Sequence, residues 1–207
     1  TGSRPRDPLL NTGRIGALIA AAPPGSTVVV PPGIYTEHIR IDKPLKLIGR
    51  RASDPTADRP VIDGAGSGDI VEIAAENVEI RGFIIRNTGI NLEQENCAIR
   101  VVASHATVAD NLLEDVLFGI DLKMAPDAVV RGNRIGGKRL DVARRGDGLR
   151  LWRSDRVLVE NNTMHDGRDA ILWYSTGVTV RGNRCERCRY GLHLMFSDDV
   201  VLDDNTL

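Results

Sequence analysis

The most distinctive chemistry in this sequence belongs to a histidine and a methionine two positions apart, His193 and Met195, in the phrase GLHLMF. Imidazole is a borderline donor and thioether a soft one, so the pair suits Cu(I) and has little affinity for Mg or Ca. Residues two apart in an extended chain share one face of a strand, which lets both side chains address one ion. His165 is the third candidate ligand, one repeat earlier in the chain. An incomplete two- or three-ligand site on an open surface releases its metal readily, so the expectation is transient copper at His193, Met195 and His165, with no tightly bound cofactor. The plainer alternative is that a His-x-Met pair is ordinary surface packing.

Carboxylate and thiol chemistry are the other classes to weigh. Glycan cleavage needs acids grouped within roughly 5 to 10 Å, one of them held protonated. Asp121, Asp147 and Asp169 come nearest, while Asp198-Asp199 and Asp203-Asp204 flank turns, where acidic residues are commonplace. No outward acidic cluster emerges, so a carbohydrate-binding or polysaccharide-cleaving protein is the alternative reading and a non-enzymatic role the first. Cys97, Cys185 and Cys188 are an odd set that cannot all pair within the chain. Cys185-Glu-Arg-Cys188 is half of a zinc or redox motif with no second half, leaving packing thiols, one disulfide or a metal as the options.

What must position these groups is a repeat. A phrase of the form apolar, two residues, Asn, one residue, apolar recurs as VADNLL, VRGNRI, VENNTM, VRGNRC and LDDNTL, with asparagines at Asn111, Asn133, Asn162, Asn183 and Asn205. Their spacings are 22, 29, 21 and 22, and a second phrase (GIDL, GLRL, DAIL, GLHL) keeps step with them. The single long spacing marks an insertion, the Gly/Arg-rich run from Gly136 to Gly146; Asn91 to Asn96 is a smaller one. A period near 22 with apolar residues at two-residue spacing predicts short strands and turns, one coil of a parallel β-helix.

In such a solenoid equivalent positions of successive coils stack about 4.8 Å apart, so columns carry the meaning. The column Ile85, Leu113, Ile135, Met164, Cys185, Leu207 is apolar and predicted inward. The asparagines are predicted to form an inward ladder at a bend, starting one coil after Phe83, which holds the equivalent place. With Ile120 and Leu122 inward, the outward columns read Arg100, Asp121, Arg150, Ile171, His193 and Val102, Lys123, Trp152, Trp173, Met195. Trp152, Trp173 and Met195, flanked by Arg150 and His193, form an outer stripe expected to bind a partner. The competing expectation is that a folded-back insertion, or chain beyond Leu207, covers this face.

The fold class expected is all-β: a right-handed parallel β-helix with coils of about 22 residues and a short N-terminal capping helix. Residues 1–24 are read as a polar lead plus that helix, starting at Asn11 or Thr12 with Ile15, Leu18 and Ile19 on one face and ending at Pro23-Pro24-Gly25. Residues 25–207 are read as the solenoid, incomplete at its C-terminal end. The 207 residues are 42% hydrophobic and 27% charged with a formal net charge of −1, which gives no electrostatic reason to expect nucleic acid as partner. No run approaches the roughly 18 apolar residues of a spanning helix, and no signal peptide opens the sequence.

Three phrases, GDGLRLW from Gly146, HDGRDAILWYS from His165 and RYGLHLMFSDD from Arg189, resemble the NosD family of β-helix proteins; the opening VVVPPGIYTEHIRIDKPLKLIG is shared with β-helices more widely. The resemblance implies a periplasmic, non-enzymatic factor in the maturation of nitrous oxide reductase, assisting assembly of its copper–sulfur centres. It implies three partners: that copper enzyme, the membrane subunit of an ABC transporter and a copper-chaperone lipoprotein. The resemblance by itself assigns copper ligands to no residue of this sequence, so His193, Met195 and His165 rest on the column reading.

Overall fold

The computed structural model of the chain describes residues 13–49 and 59–207. The polar lead expected at 1–10 and nearly all of the excursion at 50–59 lie outside the described residues. Within them, 22 short strands form three parallel sheets. The first sheet stacks eight strands, from Thr27–Val29 to Val201–Asp203; the second stacks seven, from Ile34–Thr36 to Arg184–Glu186; the third stacks seven, from Ile39–Ile41 to Gly191–Met195. This is the three-sided right-handed parallel β-helix that the repeat predicted.

One coil shows why the sequence folds this way. Leu158–Glu160, Thr163–His165 and Asp169–Trp173 are strands of the first, second and third sheet, separated by sharp bends. In the next coil Val180 lies on Val159, Cys185 on Met164 and Leu194 on Leu172, so the repeat period sets the register. The inward column Ile85, Leu113, Ile135, Met164, Cys185 is buried throughout. Leu207, predicted at the same inward place, is exposed because no described residue stacks on it.

The asparagine ladder runs from Asn111 to Asn205 and satisfies the backbone of the bend. Each side-chain oxygen accepts from both the backbone N–H and the Nδ2 of the asparagine one coil earlier: Asn133 donates to Asn162 Oδ1 at 2.9 and 3.0 Å, and Asn162 to Asn183 Oδ1 at the same distances. Phe83, with no amide to offer, ends the ladder, and its own N–H donates to Asn111 Oδ1. The residue before each asparagine is held at positive φ, in Asp110, Gly132, Asn161, Gly182 and Asp204. Only Gly, Asn and Asp enter that region cheaply, so one apparently free position of the repeat is in fact restricted.

A second ladder escaped the sequence reading. Ser197 Oγ accepts from the Ser175 N–H, Ser175 Oγ from the Ser154 N–H and Ser154 Oγ from the Ala125 N–H. Its signal was present as a serine two residues after Trp152, Trp173 and Met195.

A helix, Arg14–Ala21, packs against the strand Ile39–Ile41. Ile15 and Ile19 are buried, whereas Leu18, expected on the same face, is 37% exposed; one turn separates Ile15 from Ile19, and Leu18 falls to the flank of that stripe. The helix starts after Gly13, later than the expected Asn11 or Thr12, where the buried Glu37 carboxylate accepts the N–H groups of Ile15 and Gly16 at 3.0 to 3.1 Å. A carboxylate there satisfies unpaired donors and meets the positive end of the helix dipole.

Candidate functional site

The face that carries the candidate residues is the outer side of the third sheet, on the strands Leu149–Trp152, Asp169–Trp173 and Gly191–Met195. Trp152 is paired with Trp173 and Trp173 with Met195, while Ile171 is paired with His193, so these columns are as the repeat predicted. Leu149, Leu151, Ala170 and Leu172 alternate with them and lie in the core. The two tryptophans, His193 and Met195 are half-buried on the outer side.

The corner after these strands enlarges the surface in a way the columns did not reveal. Met124, Arg153, Tyr174 and Phe196 stack there with φ of 49 to 52°, a left-handed conformation that turns each side chain outward. Tyr174 stacks on Phe196 at 4.9 Å and on Trp173 at 6.1 Å between ring centroids. The Arg153 guanidinium lies over the Trp152 and Tyr174 rings, at 5.1 and 5.9 Å. Phe196 is 70% exposed and Met124 60%. These residues are the outward neighbours of Lys123, Trp152, Trp173 and Met195 in sequence, so reading one column further would have found them.

Arg150 requires a correction. It was expected to flank an open partner surface, but it is only 6% exposed and every guanidinium nitrogen is engaged. Nε and Nη2 donate to Asp121 at 2.8 and 2.9 Å, and Nη1 donates to Glu95 at 2.8 Å. The cause is the insertion Asn91 to Asn96, which folds back over this end of the sheet and sets Glu95 on both Arg150 and Lys123. Burial opposes ionisation of Glu95, but the hydrogen bonds from Arg150 and Lys123 outweigh it and hold its carboxyl at about 2. The covering loop leaves a cavity of about 170 Å³ lined by Glu95, Lys123, Arg150, Trp152 and Trp173.

Of the three candidate ligands, His193 and Met195 lie two residues apart on one strand, Gly191–Met195, and His165 lies on another sheet. His165 ends a strand of the second sheet, on a different side of the solenoid, and its Nδ1 is hydrogen-bonded to Asp166 at 2.9 Å. The reach from His165 to the pair was inferred from its being one coil below; the bend between the two sheets separates them. His193 packs edge-on against Tyr190 at 5.8 Å, and its Nδ1 and the Trp173 Nε1 are buried polar atoms with no hydrogen-bond partner. An imidazole without a competing partner, beside a thioether on the same strand face, fits a soft, weakly held ion.

The carboxylates are arranged for structure. Both oxygens of Asp147 accept from Arg168 at 2.9 and 3.0 Å, and Asp169 is held by Arg189 and the Tyr190 N–H. Burial raises the Asp147 carboxyl above its ordinary range despite Arg168, yet neither oxygen is presented to a substrate. All three cysteines are free thiols. Cys185 occupies its predicted core position and donates to Gly191 O at 3.4 Å, and Cys188 lies half-buried in the turn that follows. Contact with Cys185 holds the Cys188 thiol below its ordinary range, while the same contact and burial push Cys185 up.

Comparison with known proteins agrees with this geometry. Residues 131–207 match the family described as periplasmic copper-binding protein (NosD). Over 140 residues the chain is 31% identical to a protein of Pseudomonas aeruginosa named probable ABC transporter binding protein NosD; that alignment covers 66% of this chain and 31% of the relative. The chain thus spans about a third of the curated relative it matches. Among solved structures it is similar to pectin methylesterase PemA from Erwinia chrysanthemi (TM-score 0.57, 16% identity, 83% of this chain and 61% of that one). It is likewise similar to the rice weevil pectin methylesterase (TM-score 0.57, 12% identity, 90% and 66%). Identities this low speak for the coil architecture alone. The coils from Asn133 onward, which carry most of the asparagine ladder and the aromatic, His193 and Met195 surface, lie within the matched residues, and the chain is a parallel β-helix similar there to the NosD family.

Proposed function

We propose that this chain is part of a periplasmic, non-enzymatic maturation factor that assists assembly of the copper–sulfur centres of nitrous oxide reductase. In this role it works with an ABC transporter membrane subunit and a copper-chaperone lipoprotein. The observation that carries the reading is the outer face of the third sheet, where the aromatic column and corner of Trp152, Trp173, Tyr174 and Phe196 adjoin the strand that carries the soft-donor residues His193 and Met195. Half-buried aromatic side chains beside exposed ones suit an interface, and an open two-donor site suits cargo that must be passed on. The descriptions of the matching family as copper-binding and of the relative as transporter-binding support the same reading. Copper is here cargo, held briefly by His193 and Met195, with a further donor coming from the partner.

Two measurements test it. Affinity capture of the tagged chain from cells making the reductase should recover the transporter and the copper enzyme; retention on a polysaccharide matrix with neither partner recovered would favour the carbohydrate alternative. His193→Ala/Met195→Leu should lower Cu(I) retention without changing the melting temperature or partner capture. An unchanged Cu(I) titration removes this surface from the path of the metal.

A further inference from the structure

Between Asn133 and Asn162 the spacing of the solenoid lengthens to 29, and the extra residues build an arginine-bearing loop. After the strand Arg134–Gly137, residues 138–145 leave the stack as a loop with one 3-10 turn at Val142–Arg144. Its stem is tied down. The Lys138 N–H donates to Val116 O at 3.0 Å and Nζ to Asp115 at 2.7 Å, and Leu140 packs against a satellite core of Cys97, Leu117 and Phe118. Arg145 donates from Nε to Leu140 O at 2.7 Å and from Nη1 to Arg187 O at 3.1 Å. The projecting residues are not tied: Arg139 and Arg144 are exposed, and among the described residues neither guanidinium has a hydrogen bond or ion pair.

These side chains enclose an open cleft of about 680 Å³, lined by Arg139, Leu140, Asp141, Arg144, Arg145, Asp166 and Arg187. Four guanidinium groups face two carboxylates there, a surplus of two positive charges on a chain whose formal net charge is −1. One of the carboxylates is already neutralised, since Arg187 holds both oxygens of Asp166 at 2.7 Å.

We propose that this arginine cleft docks an acidic segment of a partner polypeptide. The guanidinium fork matches a carboxylate in two parallel hydrogen bonds, and Arg139 and Arg144 keep all their donors available for it. Because the stem is held by Lys138, Leu140 and Arg145, little ordering remains to be done on binding. Size separates a peptide from a free anion. At about 30 Å³ per water the cleft has room for some twenty waters, far more than one inorganic oxyanion displaces. Half-buried Leu140 in the lining adds apolar contact that a side chain between two acids uses and a free ion does not. The cleft sits beside the strands Thr163–His165 and Arg184–Glu186 of the second sheet, so it is independent of the aromatic face proposed above.

The test is fluorescence anisotropy of a labelled hexaglutamate peptide titrated with the chain, at low and at physiological salt. Binding should weaken with salt, and Arg139→Ala/Arg144→Ala should weaken it at least tenfold with an unchanged melting curve. The control Arg131→Ala/Arg134→Ala removes the same charge from the exposed surface of the same coil and should leave binding within about twofold. Equal losses in the two double variants would overturn the proposal, because the peptide would then be sensing net charge alone. It is equally overturned if a hexaglutamine peptide binds as well, if inorganic phosphate binds as tightly as the peptide by calorimetry, or if phosphatidylglycerol vesicles retain the chain through these arginines while the peptide does not bind.

Discussion

Replacing Asn162 by leucine isolates the contribution of the inward ladder, because the two side chains are close in volume and the change is almost purely one of hydrogen bonding. Asn162 Oδ1 is the acceptor for the Asn133 backbone N–H and for one Nδ2 proton of Asn133. Its own Nδ2 donates to Val130 O and Asn183 Oδ1, and the latter keeps the Asn162 backbone N–H as a donor. Asn162 and Asn133 are each 1% exposed, so water does not replace the lost partners. Two stranded donors at about 1 to 3 kcal/mol each come to about 2 to 6 kcal/mol, a large part of the roughly 5 to 15 kcal/mol that holds a typical domain folded. Urea unfolding should show this loss, and hydrogen exchange should show reduced protection at the Asn133 amide in particular. Asn205→Leu should cost less, since Asn205 is only half-buried. The comparison is Arg131→Ala on the exposed face, expected within about 0.5 kcal/mol of the parent; Lys123 is a poorer control because it is paired with Glu95. Equal stability of Asn162→Leu and Arg131→Ala would refute the ladder as a stabilising element.

Trp152→Ala and Trp173→Ala should each weaken partner capture by about 2 kcal/mol while the fold survives, and unfolding of both would mean that these side chains belong to the core. Glu95 ties the covering loop to the sheet and should respond to acid. Its carboxyl is lowered from 4.5 to about 2 in the folded chain, so its contribution is full above pH 4.5 and is lost as pH falls toward about 2. Emission from Trp152 and Trp173 should change across that window, and Glu95→Gln should show the acid-like spectrum already at neutral pH; an identical acid transition in Glu95→Gln would assign it to another group. Cys188, half-buried and with a lowered pKa, should be alkylated by iodoacetamide before buried Cys185 and Cys97, and mass spectrometry of the modified peptides reads the order directly.

The division between what the sequence determined and what only the tertiary structure decided follows the periodicity of the contacts. In a solenoid each residue meets the residue one period away, so Asn133 on Asn162, Met164 on Cys185 and Trp173 on Met195 were legible once the spacing near 22 was known. Alternation along each strand then settled which side chains enter the core, and the family resemblance rests on those same coils. The serine ladder and the outward corner of Tyr174 and Phe196 follow the same period and are legible in the same way.

What the period could not supply is where the non-repeating pieces land. The fold-back of Glu95 onto Arg150, which closes one end of the aromatic face, depends on the path of an insertion with no counterpart in neighbouring coils. So does the pinning of Arg145 against Leu140 and Arg187, which leaves Arg139 and Arg144 free over their cleft. His165 and His193 lie in adjacent coils, yet the bend between two sheets points them to different sides. Repetition makes distance along the stack readable, whereas direction around it and the paths of the loops are set by bends and packing that arise only when the chain has folded.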